Sequence, residues 1–204
     1  MRRPCRRRVA VTAAVLAPVL LAGCGAVATP APVNSDLVAC KEGDDGSPAN
    51  GVVLMAQSVP TASWVPCLKT MPLGWKFRDL DARNDSASFW LGPTHDPTHA
   101  IEVRLTESCS IEGATKVRSE RAEMTRLELV SQVSPDFVGR RLYLFDGGCI
   151  TVAFDLGGRA SSEGLAVATQ AFGAVSRDEL RELVREESDG LLQLDPPVDG
   201  GGGP

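Results

Sequence analysis

The sequence is poor in aromatic residues and in histidine. Its 204 residues include only 3 Trp, 1 Tyr, 6 Phe and 2 His, so a core must be built mainly from Val, Leu, Ala and Met. The net charge of −5 provides no basic surface of the kind that nucleic-acid-binding proteins use. Apolar residues make up 43% and charged residues 23%, which argues against wholesale disorder. The length predicts a single domain, with or without tails.

The chain also lacks an apolar run long enough to cross a membrane. Its apolar stretch at residues 9–22 has 14 residues and contains Pro18, whereas a spanning helix needs about 20. Five arginines and no acidic residue precede it within residues 1–8. A basic start followed by a short apolar segment is typical of a secretory signal peptide.

The end of this segment, Leu21-Ala22-Gly23-Cys24, resembles the lipobox of bacterial lipoproteins. The resemblance implies that residues 1–23 are a cleaved signal peptide and that the Cys24 sulfur receives a diacylglyceryl group. Because two or more acyl chains anchor a protein stably, we expect lipid attachment to the cell membrane on the side outside the cytoplasm. The membrane is then the first partner, through the lipid on Cys24. An ordinary secretory signal is the alternative.

The remaining sequence divides by composition. Residues 24–35 are small, contain proline and predict a lipidated tether. Residues 36–194 predict a single extracytoplasmic domain. Residues 195–204, with the sequence DPPVDGGGGP, predict a disordered tail.

Cysteine usage agrees with export. Apart from Cys5 and Cys24, four cysteines remain: Cys40, Cys67, Cys109 and Cys149. An even number in an exported domain predicts two disulfides, and of the three pairings we favour Cys40–Cys67 and Cys109–Cys149, each within one half of the domain. The nearest two are 27 residues apart, unlike the short spacing of zinc sites. A nucleophilic Cys149 after Asp146-Gly147-Gly148 is the weaker alternative.

The pattern after residue 76 is mostly of period two. Residues 101–106 alternate apolar and polar side chains, which predicts a half-buried strand, and residues 87–91 also predict a strand. Residues 142–145 and 149–156 predict a hairpin around Asp146-Gly147-Gly148, and if Gly147-Gly148 is its two-residue loop, Phe145 faces Ile150. Residues 124–133 fit a strand or a helix, and we predict a strand.

Two helices are predicted near the C-terminus. Residues 163–172 carry apolar side chains at helical spacing, and a second helix begins at the capping box Ser176–Glu179 and runs to about Glu187. The prolines of residues 59–68 predict short turns. The predicted fold class is therefore α+β: an antiparallel sheet of about four or five strands with two C-terminal helices, stapled by disulfides.

No reaction centre is evident. The two histidines, His95 and His99, flank Asp96 at a spacing that binds metal on a helix, but Pro97 predicts a loop, and an exposed polar turn is favoured. No G-x-S-x-G motif marks a nucleophilic serine. We therefore predict no catalytic residue, no metal and no cofactor, and we expect the tryptophans to belong to the core rather than to a cleft: Trp64, Trp75 and Trp90.

Several short segments together resemble small uncharacterised exported domains of actinobacteria: Val65-Pro66-Cys67, Gly74-Trp75, Ser108-Cys109 and Gly147-Gly148-Cys149. No activity is implied by that resemblance. The sequence favours a lipid-anchored, non-catalytic envelope module that binds a ligand or an envelope protein. A carrier of a small ligand or lipid is one alternative, and a hydrolase that uses His95, His99 or Asp96 is the other.

Overall fold

Antiparallel strands form most of the molecule. A computed structural model describes residues 35–40, 49–157, 165–166 and 169–196. The helices in these ranges include a 3₁₀ turn (Ser35–Val38), α1 (Asn50–Ser58) and α2 (Arg177–Glu187). The strands are β1 (Trp64–Leu68), β2 (Trp75–Arg83), β3 (Ser86–Pro93), β4 (Ile101–Thr106), β5 (Thr115–Val117), β6 (Thr125–Gln132), β7 (Phe137–Phe145), β8 (Gly148–Leu156) and β9 (Phe172–Ser176).

The strands form two sheets. Seven of them follow the order β2-β3-β4-β8-β7-β6-β5, with antiparallel pairing throughout, and β1 and β9 form a separate antiparallel pair. β4 joins the two halves of the large sheet by pairing with β3 on one side and β8 on the other. The β1–β9 pair joins segments more than 100 residues apart, since Trp64 is opposite Ser176.

The main core lies on one face of the large sheet. Alternate residues of β4 are buried, as expected for a strand with one face against a core. Helix α1 and the β1–β9 pair cover this face, and they complete the apolar cluster with the sheet residues. The fully buried side chains with the largest volumes include Phe89, Met55, Leu91, Ile101 and Leu105.

The opposite face has a smaller cluster of its own. Leu127, Leu142 and Cys149 are buried there, with Cys109 and Ala114 packed against them. Cys149 is bonded to Cys109, so the disulfide holds the segment before β5 over this face.

The predicted fold class is wrong. Within the described ranges the protein is mostly β, with nine strands in sheets of seven and two, instead of an α+β fold with four or five strands and two C-terminal helices. β1 forms where proline predicted short turns, and Phe172, the predicted end of the first helix, begins β9. Residues 165–166 and 169–171 are helical, while residues 163–164 and 167–168 lie outside the described part.

Other local predictions are confirmed. Residues 101–106 form β4, and residues 125–132 form a strand rather than a helix. The helix from Arg177 to Glu187 begins as expected, because the backbone N–H of Glu179 donates a 3.1 Å hydrogen bond to the Ser176 hydroxyl.

The hairpin is present, but its two-residue loop lies one residue earlier than predicted, which changes the partner of Phe145 from Ile150 to Gly148. Phe145 lies opposite Gly148, so the two-residue loop is Asp146-Gly147. Gly147 has a φ of +69°, a conformation that glycine adopts without strain. A Cβ at Gly148 would lie 2.6 Å from the Phe145 ring, so close packing explains why a glycine also begins β8.

The terminal predictions fall mostly outside the described residues. This applies to the signal peptide, to Cys24, to all but the last residue of the tether, and to residues 197–204 of the tail. Leu194 is 2% exposed, so the packed structure reaches the predicted end of the domain at residue 194.

Candidate functional site

A cavity of about 490 Å³ lies between the core face of the large sheet and the β1–β9 pair. Its volume is within the usual range of small-molecule sites, about 300–1,000 Å³. Its walls come from both sheets, from the segment before β6 and from the helical residues before β9: Pro66, Lys69, Val103, Glu120, Arg121, Met124, Arg126, Arg141, Tyr143, Ile150, Val152, Ala166, Thr169, Gln170, Phe172, Gly173 and Ala174.

The floor of the cavity changes from apolar to charged across the sheet. Val103 of β4 pairs with Val152 of β8, which in turn pairs with Arg141 of β7. Directly paired residues present their side chains on the same face of a sheet. One continuous surface therefore carries branched apolar side chains on β4 and β8 and ionic side chains on β6 and β7.

The ionic end of the floor is a connected network. Arg126 forms ion pairs with Glu128 and, at 3.0 Å, with Glu120, and Arg141 donates to Glu128 at 2.6 Å. The Tyr143 hydroxyl donates a 2.9 Å hydrogen bond to Glu120. Each cation or phenol thus has a carboxylate partner, which holds the side chains in place at this end.

The environment fixes the charge of each group in the network. Burial and the adjacent Glu120 raise the pKa of Tyr143 to about 12, so the phenol stays neutral and donates. Burial alone would raise the pKa of Glu120 and of Glu128, but their hydrogen bonds with Tyr143, Arg126 and Arg141 outweigh it and lower both pKa values. These groups keep one protonation state near pH 7, unlike general acids and bases.

The opposite wall carries two further cations. Lys69 follows β1 and is exposed, and Nη1 of Arg121 lies 3.5 Å from the Ala174 carbonyl of β9. Neither side chain forms an ion pair within the described ranges. The cavity wall thus holds four cations and one carboxylate, and only Arg126 and Arg141 are neutralised by the network.

The disulfides have different relations to the cavity. Cys40–Cys67 lies behind the wall formed by β9, because a Cβ built on Gly173 would be 2.4 Å from the Cys40 sulfur. Cys109–Cys149 lies on the other face of the large sheet. The two bonds are those favoured on the sequence, and disulfides are typical of an oxidising location outside the cytoplasm.

The residues considered for metal binding or hydrolysis lie away from the cavity. His95, Asp96 and His99 are exposed in the loop between β3 and β4, and the His99 ring meets Trp90 edge-on at 5.8 Å. In the described ranges, no group of three or more His, Cys, Asp or Glu is placed to hold a metal ion. Trp64 and Trp75 are half-buried against the main core, and neither lines the cavity.

Sequence reasoning did not identify the cavity residues. A signal was present in β6 and β7, where Arg126 and Glu128 alternate with Leu127, and Arg141 and Tyr143 flank Leu142. This alternation places ionic groups on one face of each strand. The alternation alone does not show that the ionic face of β6 and β7 continues into the face that packs against the main core.

Acidification is expected to weaken the domain through this network. A carboxylate whose pKa is lowered by folding contributes stability above its ordinary pKa of 4.5, and that contribution is lost as the pH falls through the lowered value. The free energy of unfolding in urea should therefore fall as the pH is lowered below about 4.5. The Glu120→Gln/Glu128→Gln variant should show a smaller fall than the Glu107→Gln/Glu123→Gln control. An equal fall in the free energy of unfolding of the two variants would contradict the assignment of this pH dependence to Glu120 and Glu128.

No family model, curated protein or solved structure matches this chain. Among the described residues, no helix has the length and apolar character needed to cross a membrane.

Proposed function

We propose that this protein is a lipid-anchored, extracytoplasmic module that binds a small organic ligand in the cavity between its two sheets, without transforming it. The observation that carries this proposal is the cavity itself, which combines an apolar floor with fixed polar groups. That combination is characteristic of sites that bind small molecules. Glu120 stays ionised and Tyr143 stays neutral near pH 7, which favours ligand binding over acid–base catalysis.

Attachment to the membrane is supported by the lipobox resemblance at Cys24 and by the two disulfides. The short apolar segment before Cys24 fits a signal peptide, and acylation of this cysteine supplies the anchor. Fractionation of cells that express the full chain checks this part of the proposal. The protein should stay with the membranes, and a Cys24→Ser variant should be released from them. An unchanged distribution of the variant would contradict lipid anchoring.

Ligand binding is tested with N-phenyl-1-naphthylamine, a neutral apolar dye that fluoresces when it leaves water. The full-length protein in mild detergent should bind it saturably. Gln170 is exposed, helical and part of the cavity wall, so Gln170→Trp should fill space there and raise the dye's Kd by about tenfold, or about 1.4 kcal/mol.

Gln57→Trp is the matched control, because Gln57 is also an exposed glutamine on a helix and does not line the cavity. This control should bind the dye as the unmodified protein does. No saturable binding to the unmodified protein, or equal binding by both tryptophan variants, would overturn the proposal for the cavity.

A further inference from the structure

Among the described residues, the cavity has an excess of positive charge at one place. At the network end, Glu120 and Glu128 already occupy Arg126 and Arg141. On the opposite wall, Lys69 and Arg121 have no carboxylate within 4 Å in the described residues. An incoming anion would therefore meet the greatest uncompensated charge near the β1–β9 wall.

The same place adjoins apolar surface. Phe172 and Ala174 of β9 line the cavity beside Lys69 and Arg121, and Val103 and Val152 form the floor below them. Val103 and Val152 are each 1% exposed, whereas Phe172 and Ala174 are half-buried. A purely ionic ligand would leave Phe172 and Ala174 exposed to water, and a purely apolar ligand would leave the two cations without partners. Both kinds of surface are satisfied by one molecule that has an acidic group and an apolar body.

We propose that the cavity binds an acidic amphiphile, whose carboxylate or phosphate group pairs with Lys69 and Arg121 and whose apolar body lies against Phe172 and Ala174. This inference rests on the proposed function and deepens it by naming the ligand class. The fixed network of Arg126, Glu120 and Tyr143 closes the far end of the site. Among the described residues, both arginines at that end are already paired with carboxylates. The acidic group of the ligand is therefore directed to Lys69 and Arg121.

Two dyes that differ by one charge test the inference. 1-Anilinonaphthalene-8-sulfonate has the ring system of N-phenyl-1-naphthylamine with an added sulfonate. The anionic dye should bind the full-length protein at least about tenfold more tightly than the neutral dye. Lys69→Gln/Arg121→Gln should remove this preference by weakening the anionic dye alone.

Lys76→Gln/Arg118→Gln is the matched control, since both residues are exposed, carry the same charges and do not line the cavity. It should keep the preference for the anionic dye. If the neutral dye binds in the cavity but the anionic dye binds no better, the inference fails and the proposed function stands. If neither dye binds, both fail.

Competition then distinguishes the source of the ligand. Displacement of the dye by lysophosphatidic acid and not by phenyl phosphate would identify a membrane lipid, and the reverse would identify a soluble organic anion. Both results support an acidic amphiphile. Displacement by dodecanol as effectively as by lysophosphatidic acid would overturn the requirement for an acidic group.

Discussion

Replacing Arg177 with methionine is expected to lower the free energy of unfolding by about 2–3 kcal/mol. Arg177 is 2% exposed, and its guanidinium holds three parts of the chain together. Nη1 donates to the carbonyls of Ala56 at 2.8 Å and Val59 at 3.4 Å, and Nη2 donates to that of Asp195 at 3.3 Å. Methionine would keep much of the apolar volume while leaving the buried Ala56 carbonyl without this donor, whereas the Val59 carbonyl still accepts from the Ala62 N–H and Asp195 is exposed to water.

The position of Arg177 explains why its replacement should lower the stability of the domain. Ala56 is in the last turn of α1, where the backbone carbonyls have no partner within the helix. A cation there satisfies them and also opposes the negative end of the helix dipole. Burial lowers the pKa of Arg177, and Arg181 adds to this effect, whereas Asp195 opposes it. The native contacts therefore have to offset the cost of burying a charge.

Arg185→Met is the matched control on the same helix. Arg185 is exposed, and among the described residues its one ion pair is with Glu182 in the preceding turn, so its loss should cost no more than about 0.5 kcal/mol. Urea unfolding followed by tryptophan fluorescence measures both variants, and the melting temperature of Arg177→Met should fall by roughly 10 °C. Equal stability of the two variants would show that Arg177 does not hold α1 and the C-terminal segment in place.

The sequence predicts an element well where one face of the element meets water. β4 has apolar residues at Ile101, Val103 and Leu105 and polar residues between them, so its period of two is visible without any knowledge of its neighbours. The capped start of α2 is equally local, because Ser176 and Glu179 lie within one turn. Elements of this kind can be predicted from their local sequence alone.

β1 and β9 carry no such signal. β1 contains Pro66, which cannot donate a ladder hydrogen bond, and β9 contains Gly173, which has no side chain to pack. Each becomes a strand only because the other lies beside it, with Pro66 opposite Ala174 and Cys67 opposite Gly173. Pairing over more than 100 residues is a property of the fold, and local propensity does not report it.

The candidate site was missed for the same reason. Glu120 precedes β6 by several residues, whereas Tyr143 is on β7, and their hydrogen bond joins segments 23 residues apart. Lys69 follows β1, whereas Arg121 precedes β6. Each of these residues is ordinary in its local sequence, and only the placement of β1–β9 over the sheet makes them neighbours around one cavity.

Removing the Cys40–Cys67 disulfide, by Cys40→Ala/Cys67→Ala, is expected to lower the free energy of unfolding by roughly 3–4 kcal/mol. The bond closes a loop with a sequence separation of 27 residues, and a crosslink of this size removes that much chain entropy from the unfolded state. Cys109→Ala/Cys149→Ala should cost a similar amount, because that separation is 40 residues. Stability alone therefore does not distinguish the two bonds.

Ligand binding should distinguish them. The Cys40 sulfur is packed against Gly173, whose backbone forms part of the cavity wall, so losing Cys40–Cys67 frees that wall and should weaken binding of the anionic dye. Cys109–Cys149 lies on the opposite face with Leu127 and Leu142, and its loss should leave the Kd unchanged in conditions where both variants remain folded. Dye titration well below the urea transition measures this difference. An unchanged Kd in both variants would mean that the sheets alone hold the wall, and equal weakening in both would mean that Cys40–Cys67 has no specific role in holding it.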